Sequence, residues 1–389
     1  MTTPPNQASA QPADATALAP YDAVLLFSFG GPNGPDDVLP FLRNVTAGKG
    51  IPDERLAEVA EHYHHFGGRS PINEQNLALR AALQAELARR GLDVPVVWGN
   101  RNWEPYTREA LEQARAGGAR RVVALVTSAY SSYSGCRQYR ENLWAALQEV
   151  AVEGAPEDLA VDKVRSYFNH PGFVQANTDA VVEAYEGMDT AAAWPRLVFV
   201  THSIPDTMEE ASTVAGASYR EQHLDVARSV AAAAAERLGR PVEWDLVYCS
   251  RSGPPSQPWL EPDVNDHLEA LAAAGTTSVV LAPIGFVSDH MEVAFDLDTE
   301  ALETARELGM TAVRADSVGV REPFVRGLVD LLLERAAIAR ADAAGEPRPG
   351  EATVGELPAF RSVCAPGCCR QRAGVDSGVP AACSVDPRS

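Results

Sequence analysis

The residues with the clearest capacity for chemistry lie between Ala282 and Glu300, in APIGFVSDHMEVAFDLDTE. The stretch begins as the end of an apolar strand, TTSVVLAPIG, and turns into a predicted helix, Glu292–Leu308, preceded by Asp289 and His290. Glu292, Asp296 and Glu300 are spaced i, i+4, i+8, which sets three carboxylates on one helical face. Like charges at that spacing cost helix stability unless a cation lies among them. An acidic helix alone is more often a solvated face. Next to a histidine at the mouth of a parallel sheet, the same row suits a path for a divalent metal or for protons. A second histidine strengthens that reading. RLVFVTHSIP puts His202 at the carboxyl end of the apolar run Leu197–Val200, where open α/β sheets hold their ligands. The two strand ends are expected to face one cleft.

Composition narrows the classes. The chain has 389 residues, 46% of them hydrophobic, enough for two domains or one large α/β unit. A formal net charge of −20 argues against nucleic acid or an anionic membrane as partner. Lys49 and Lys163 are the only lysines; arginine supplies the other basic residues. No apolar run approaches the ~20 residues of a membrane span. The first 20 residues are Pro/Ala-rich, with neither the basic nor the apolar region of a signal peptide, and are expected to be disordered. A cytoplasmic protein follows. Of the six cysteines, Cys364, Cys368, Cys369 and Cys383 fall in the last 26 residues, while Cys136 and Cys249 lie in the body. In a cytosolic chain that clustering indicates metal binding rather than disulfides.

The elements that must position these groups alternate regularly. Strands are expected at Tyr21–Phe29, Val94–Gly99, Arg121–Thr127, Val161–Tyr167, Arg196–Val200, Trp244–Cys249, Ser278–Pro283 and Ala312–Ala315, with helices between them. The β-α-β rhythm implies parallel strands with right-handed crossovers. The fold class is α/β, in two similar halves that meet near residues 132–163. A last helix, Glu322–Arg340, is followed by a Pro/Gly/Glu-rich linker. Neither a Gly-x-Gly-x-x-Gly, a Walker A nor a Gly-x-Ser-x-Gly motif is present, so dinucleotide, P-loop and hydrolase chemistry are disfavoured.

Four stretches in order, SFGGP, GGRSPIN, THSIP and GFVSDHMEVAFDLDTE, resemble the ferrochelatases, which insert ferrous iron into a porphyrin. The resemblance covers about residues 21–340. It implies two Rossmann-like, chelatase-type domains with four-stranded parallel sheets and a cleft between them. The divisions would be 1–20 as a tail, 21–160 and 161–320 as the two domains, 321–340 as a helix packing back on the first, and 341–389 as linker and cysteine-bearing extension. By motif, the resemblance makes His202 and Glu292 the catalytic pair. Asp296 and Glu300 continue the ferrous-iron path, and Asp289 and His290 orient their neighbours. It assigns Arg101 and Trp103, in WGNRNWEP, to the pocket wall. Phe29 in SFGGP stands where some members carry an iron-ligating tyrosine, so axial ligation by that side chain is out of reach. Trp103, Tyr130 and Tyr133 suit a flat ligand, although each alone is more often core. His62, His64 and His65 read as a surface helix end, and His170, His223 and His267 as structural or solvated.

The cysteines resemble those of the ferrochelatases that carry a [2Fe-2S] cluster, with Cys136, Cys364, Cys368 and Cys369 as ligands. Cys383 is a spare that could substitute, Cys249 reads as buried and inert, and zinc is the alternative metal. The resemblance leaves two porphyrins open. A soluble, anion-rich chain of actinobacterial character fits coproporphyrin III, giving coprohaem, better than protoporphyrin IX. Arg101 and, by position only, Arg69 and Arg137 are candidates for its carboxylates. A cobalt or nickel chelatase and a non-catalytic tetrapyrrole carrier are the other readings, and a downstream haem-pathway enzyme is a conceivable partner. A carrier needs ligands that hold, whereas a chelatase needs a base and weak ligands that release.

Overall fold

Eight short strands carry the fold among the described residues: β1 (Ala23–Ser28), β2 (Val96–Asn100), β3 (Arg121–Val126), β4 (Ala160–Lys163), β5 (Arg196–His202), β6 (Trp244–Cys249), β7 (Ser278–Ala282) and β8 (Thr311–Arg314). The computed structural model describes residues 16–48, 50–151, 159–189, 193–253, 256–365, 367–375 and 378–384. The strands form two four-stranded sheets with orders β2-β1-β3-β4 and β6-β5-β7-β8, parallel throughout. The second order repeats the first. In each sheet the chain winds to one side of its first strand and then to the other. The point of reversal lies between β1 and β3, and again between β5 and β7. Crevices of this kind, at the carboxyl ends of the strands, are where open α/β sheets bind ligands.

The strands are apolar on both faces because both faces are covered. In β1, Val24 and Leu26 enter one core while Ala23, Leu25 and Phe27 enter another. In β5, Leu197 and Phe199 face the first of these cores, and Val198 and Val200 face a third. The shared core therefore joins the two sheets through one apolar layer. Helices Ile72–Arg89, Pro171–Glu186, Tyr219–Leu238 and Glu322–Ala344 supply its other side chains, among them Leu83, Phe173, Val226 and Leu328. The last helix packs against both Ile72–Arg89 and Pro171–Glu186. No helix of the described residues is long and apolar enough to cross a membrane.

Several expectations are corrected. Residues 1–15 lie outside the described part, but 16–20 are packed rather than free: Leu18 is buried in the shared core, and Arg340 donates to the Ala17 and Ala19 carbonyls. The predicted strand to Tyr167 stops at Lys163, because the chain beyond it turns away so that Tyr167 and Phe168 can both bond to the Ala129 carbonyl. The linker is docked. Buried Arg165 ion-pairs with Glu334 at 2.8 Å and donates to the Ala352 carbonyl, Val354 bonds Asn169, and Phe360 packs edge-on to Phe168.

Candidate active site

The two sequence-predicted strand ends do meet. His202 closes β5, and the polypeptide after β7 brings Glu292 to it, with His202 Nε2 3.5 Å from Glu292 Oε2. His202 Nδ1 is 2.5 Å from the Ser203 carbonyl. A carbonyl only accepts, so Nδ1 carries a proton and Nε2 is the nitrogen that gains or loses one. Burial opposes charge on His202, but the hydrogen bond and the negative charge of Glu292, with help from Ser203 and Asp296, outweigh it and raise its pKa above the usual imidazole value. The resemblance makes these two groups the catalytic pair, at strand ends expected to face one cleft. Here they touch. A flat macrocycle with ordinary contacts on both faces needs about 7 Å between them, so a ring centred there must part the pair. Glu292 has 48% of its side chain exposed.

The acidic row is carried by a π-helix, not by the α-helix the spacing predicts. One α-turn, Met291–Val293, leads into the π-helix Ala294–Ala301, and α-helix resumes at Leu302–Glu307. Segments of this kind are concentrated at functional sites. The wider winding rotates successive i, i+4 positions only modestly, so Glu292, Asp296 and Glu300 still follow one side. Asp296 is the enclosed member. Burial pushes its carboxyl up to about 6, against the Ser250 hydroxyl that donates to it. Ser250 follows β6 in a left-handed backbone conformation, φ 59°, uncommon for a residue other than glycine. Its role is not marked by any spacing in the sequence. Glu300 is at the exposed outer end, where desolvation and Asp263 raise its pKa and His62 lowers it. His62 is on the surface, as read, but stacks on Phe295 at 4.1 Å. Asp289 is paired with Arg314, and its backbone N–H donates to Gln75 of the first half at 2.8 Å.

A buried polar network stands behind His202. Tyr219 donates to the His202 carbonyl at 3.1 Å and contacts Thr201 Oγ1 at 2.8 Å; His223 Nε2 is also 2.8 Å from Thr201 Oγ1. His223 Nδ1 faces the Tyr219 carbonyl at 2.7 Å, so it too is protonated on Nδ1, and burial lowers its pKa to about 3. Tyr130 belongs to this layer and not to a ligand wall: it is 2% exposed, stacks on His223 at 3.6 Å and donates to the Ile284 carbonyl. The shape of the wall departs from expectation elsewhere too. Phe29 and Trp103 pack around Phe41 in a small core that includes Met291, next to Glu292. Arg101 bridges the two sides, its guanidinium 5.6 Å from the Phe29 ring centre and 4.7 Å from that of Tyr139, while the Tyr133 hydroxyl is 3.1 Å from Glu141. Arg137 is buried against Glu141 and the Val379 carbonyl, which removes it as a carboxylate receptor; Arg69 pairs with Glu74 on the surface.

Cys136, Cys364, Cys368 and Cys369 are all buried together. The Cys368 and Cys369 sulfurs are 3.5 Å apart, and the four thiols are near enough in a ring to shift one another's pKa. Cys383 is outside it, its Sγ 3.4 Å from the Val161 carbonyl. Among the described residues no three His, Cys, Asp or Glu side chains converge as ligands of a single ion. Four neighbouring thiols still suit a two-iron cluster, which divides its thiolates between two metals. Cys249 is 1% exposed, and burial raises its thiol pKa well above normal, in keeping with an inert group.

Gly285 makes the close approach behind the site possible. A β-carbon there would be 2.1 Å from Thr201 Oγ1 and 2.9 Å from Thr201 Cα. Gly285→Ala is expected to cost about 1–3 kcal/mol in chemical denaturation, whereas alanine at Gly350, where a β-carbon meets nothing within 4 Å, is expected to leave stability near wild type.

The ferrochelatase family profile matches residues 21–336. A coproporphyrin III ferrochelatase of Streptomyces coelicolor is 52% identical, over 92% of this chain and 96% of the relative. One from Leifsonia xyli is 51% identical, over 90% and 91%. A ferrochelatase of Rhodopirellula baltica is 49% identical, over 90% and 94%. Among solved structures, SirB from Bacillus subtilis with Fe3+ has a TM-score of 0.50 at 11% identity, over 82% of this chain and 97% of that one, a likeness of fold. With a matching profile over most of its length and relatives at half identity, the chain belongs to the ferrochelatase family, lyases that insert iron into a porphyrin.

Proposed function

We propose that the protein inserts ferrous iron into coproporphyrin III to give coprohaem. The observation that carries the chemistry is His202 Nε2 facing Glu292 across 3.5 Å at the crevice of the second sheet. Iron cannot enter a free porphyrin until two pyrrole N–H protons leave. Once the ring has parted the pair, His202 Nε2 no longer shares a proton with Glu292 and is placed to accept one. Asp296, with its pKa near 6, supports the second transfer, since it exchanges protons readily close to neutral pH. Glu292, Asp296 and Glu300 are the route we assign to ferrous iron. Carboxylates bind it weakly enough to pass it on, and the side chains do not converge into a closed ion site, which suits delivery better than retention. Phe29 and Trp103 are assigned to the porphyrin wall, with Arg101 and Tyr133 beside it. The choice of coproporphyrin rests on the names of the half-identical relatives from Streptomyces and Leifsonia.

The tail is assigned to a [2Fe-2S] cluster held by Cys136, Cys364, Cys368 and Cys369; when bound it would supply a one-electron redox centre. The ring of buried thiols supports this, and hydrogen bonds from Cys136 and Cys368, with Lys163 and Arg140 nearby, pull the Cys364 thiol well below its usual pKa. Thiolate is the form that ligates metal. A cytoplasmic setting is part of the same reading.

Anaerobic insertion kinetics with both porphyrins in matched detergent test the substrate. Coproporphyrin III is expected to give the higher kcat/KM; a clear preference for protoporphyrin IX would overturn the assignment. His202→Ala and Glu292→Gln are each expected to lower turnover by roughly 10²–10⁴-fold with the circular dichroism spectrum unchanged, and near-normal turnover in His202→Ala would remove the base from His202. The purified protein is expected to be reddish-brown and to bleach in Cys364→Ser. Colourless protein with stoichiometric zinc, purified without oxygen, would refute the cluster.

A further inference from the structure

The thiol ring has two buried cations beside it and no carboxylate to balance them. Lys163, the last residue of β4, is 4% exposed, and its ammonium donates to the Val164 carbonyl at 3.2 Å. Arg140 is 1% exposed, one helical turn beyond Cys136. Its guanidinium donates to the Ala382 carbonyl and to Ser384, and its Nη1 is buried without a hydrogen-bond partner. Among the described residues no carboxylate lies within ion-pairing distance of either group. Lys163 is also one of only two lysines in the chain. Lysine is rarely fully buried unless paired, and an unpaired buried charge is strongly destabilising. The facing groups of opposite charge are the cysteines. Cys136 and Lys163 line the same narrow recess at the end of β4. Negative charge on the Cys364 and Cys136 sulfurs favours both cations and opposes the cost of their burial.

We propose that Lys163 and Arg140 are the counter-charges of the iron–sulfur cluster, holding it in the buried site and setting the ease with which it takes up an electron. The proposal rests on the cluster reading above. Two ferric ions, two sulfides and four thiolates sum to two negative charges, matched by one ammonium and one guanidinium. An electron from an external reductant turns one ferric ion ferrous and adds a third negative charge, which the cations favour. Removing one of them makes reduction harder. Zinc on the same thiolates would carry the same charge but accept no electron, so a redox measurement separates the two metals.

The test uses full-length protein loaded anaerobically with iron and sulfide, comparing wild type, Lys163→Met and Lys163→Arg. The cluster is followed by visible circular dichroism, and its midpoint potential by an EPR-monitored titration with dithionite and mediators. Lys163→Met is expected either to lose the cluster or to move its potential in the negative direction, making reduction at least tenfold less favourable, a shift of 59 mV for one electron. Lys163→Arg, which keeps the charge, is expected to stay with wild type. Metal-free Lys163→Met is expected to melt no lower than metal-free wild type, because the thiols then provide less anion to balance a buried ammonium. A fully loaded Lys163→Met with the wild-type potential would overturn the proposal while leaving the cluster intact. Equal destabilisation of the metal-free and loaded forms, or failure to fold, would also overturn it by making Lys163 merely structural. A wild-type protein that holds zinc or no metal would overturn both the cluster and its counter-charges.

Discussion

The apolar layer shared by the two sheets is the constraint on which the rest depends. Val24 and Leu26 of β1 and Leu197 and Phe199 of β5 enter the same core, together with four helices drawn from both halves of the chain. Interiors packed at crystal-like density have low compressibility and transmit strain from one element to the next. The crevices at the carboxyl ends of the two sheets are therefore held in a set relation. A site built from both halves needs that rigidity, since the small core of Phe29, Phe41 and Trp103 from the first half closes over Met291 from the second. The bond from Asp289 to Gln75 is a further tie between the halves at the same level.

Within this frame, the stiff and yielding parts of the site are separated. The carbonyl of His202 is held from behind by Tyr219, and Thr201, Tyr219 and His223 satisfy one another in a buried network. Such fully satisfied networks rigidify the groups they support. Glu292 has no comparable enclosure and is half exposed. The backbone at His202 is thus supported from behind, while the Glu292 side chain reaches toward solvent. The π-helix beneath Glu292 places Asp296 deep enough for burial to lift its pKa, and Ser250 moderates that rise. A graded row results, from an exposed end at Glu300 to an enclosed middle.

The tail obeys the same electrostatic logic at a different place. It docks on the start of the second half through the buried Arg165, through Asn169 and through Phe360 against Phe168. It then delivers three cysteines to the fourth, in the π-helical segment Tyr133–Arg137 after β3. Two cations are already buried there. The tail thus completes a site whose charge balance the body of the chain leaves open, and this links its docking to the state of the thiols.

Much of this was legible in the sequence, for physical reasons. Parallel strands covered on both faces must be apolar runs, so the α/β rhythm was readable, and a ligand crevice at the carboxyl strand ends directed attention to His202 and to the turn after β7. The i, i+4, i+8 carboxylates survive the change from α to π winding because the rotation per step is small. The family resemblance, rather than the spacing alone, named the four cysteines that come together. Other features depend on contacts between residues distant in the chain. Tyr130 could not be told from a wall residue, because only packing sets it against His223. Arg137 could not be told from a substrate receptor, because Glu141 and the tail carbonyl of Val379 claim it only after folding. The direct contact of His202 with Glu292, the left-handed turn that aims Ser250 at Asp296, and the burial of Lys163 beside the thiols are likewise decided by tertiary structure. Each is a matter of distances and local dielectric, which no residue pattern along one strand or helix encodes.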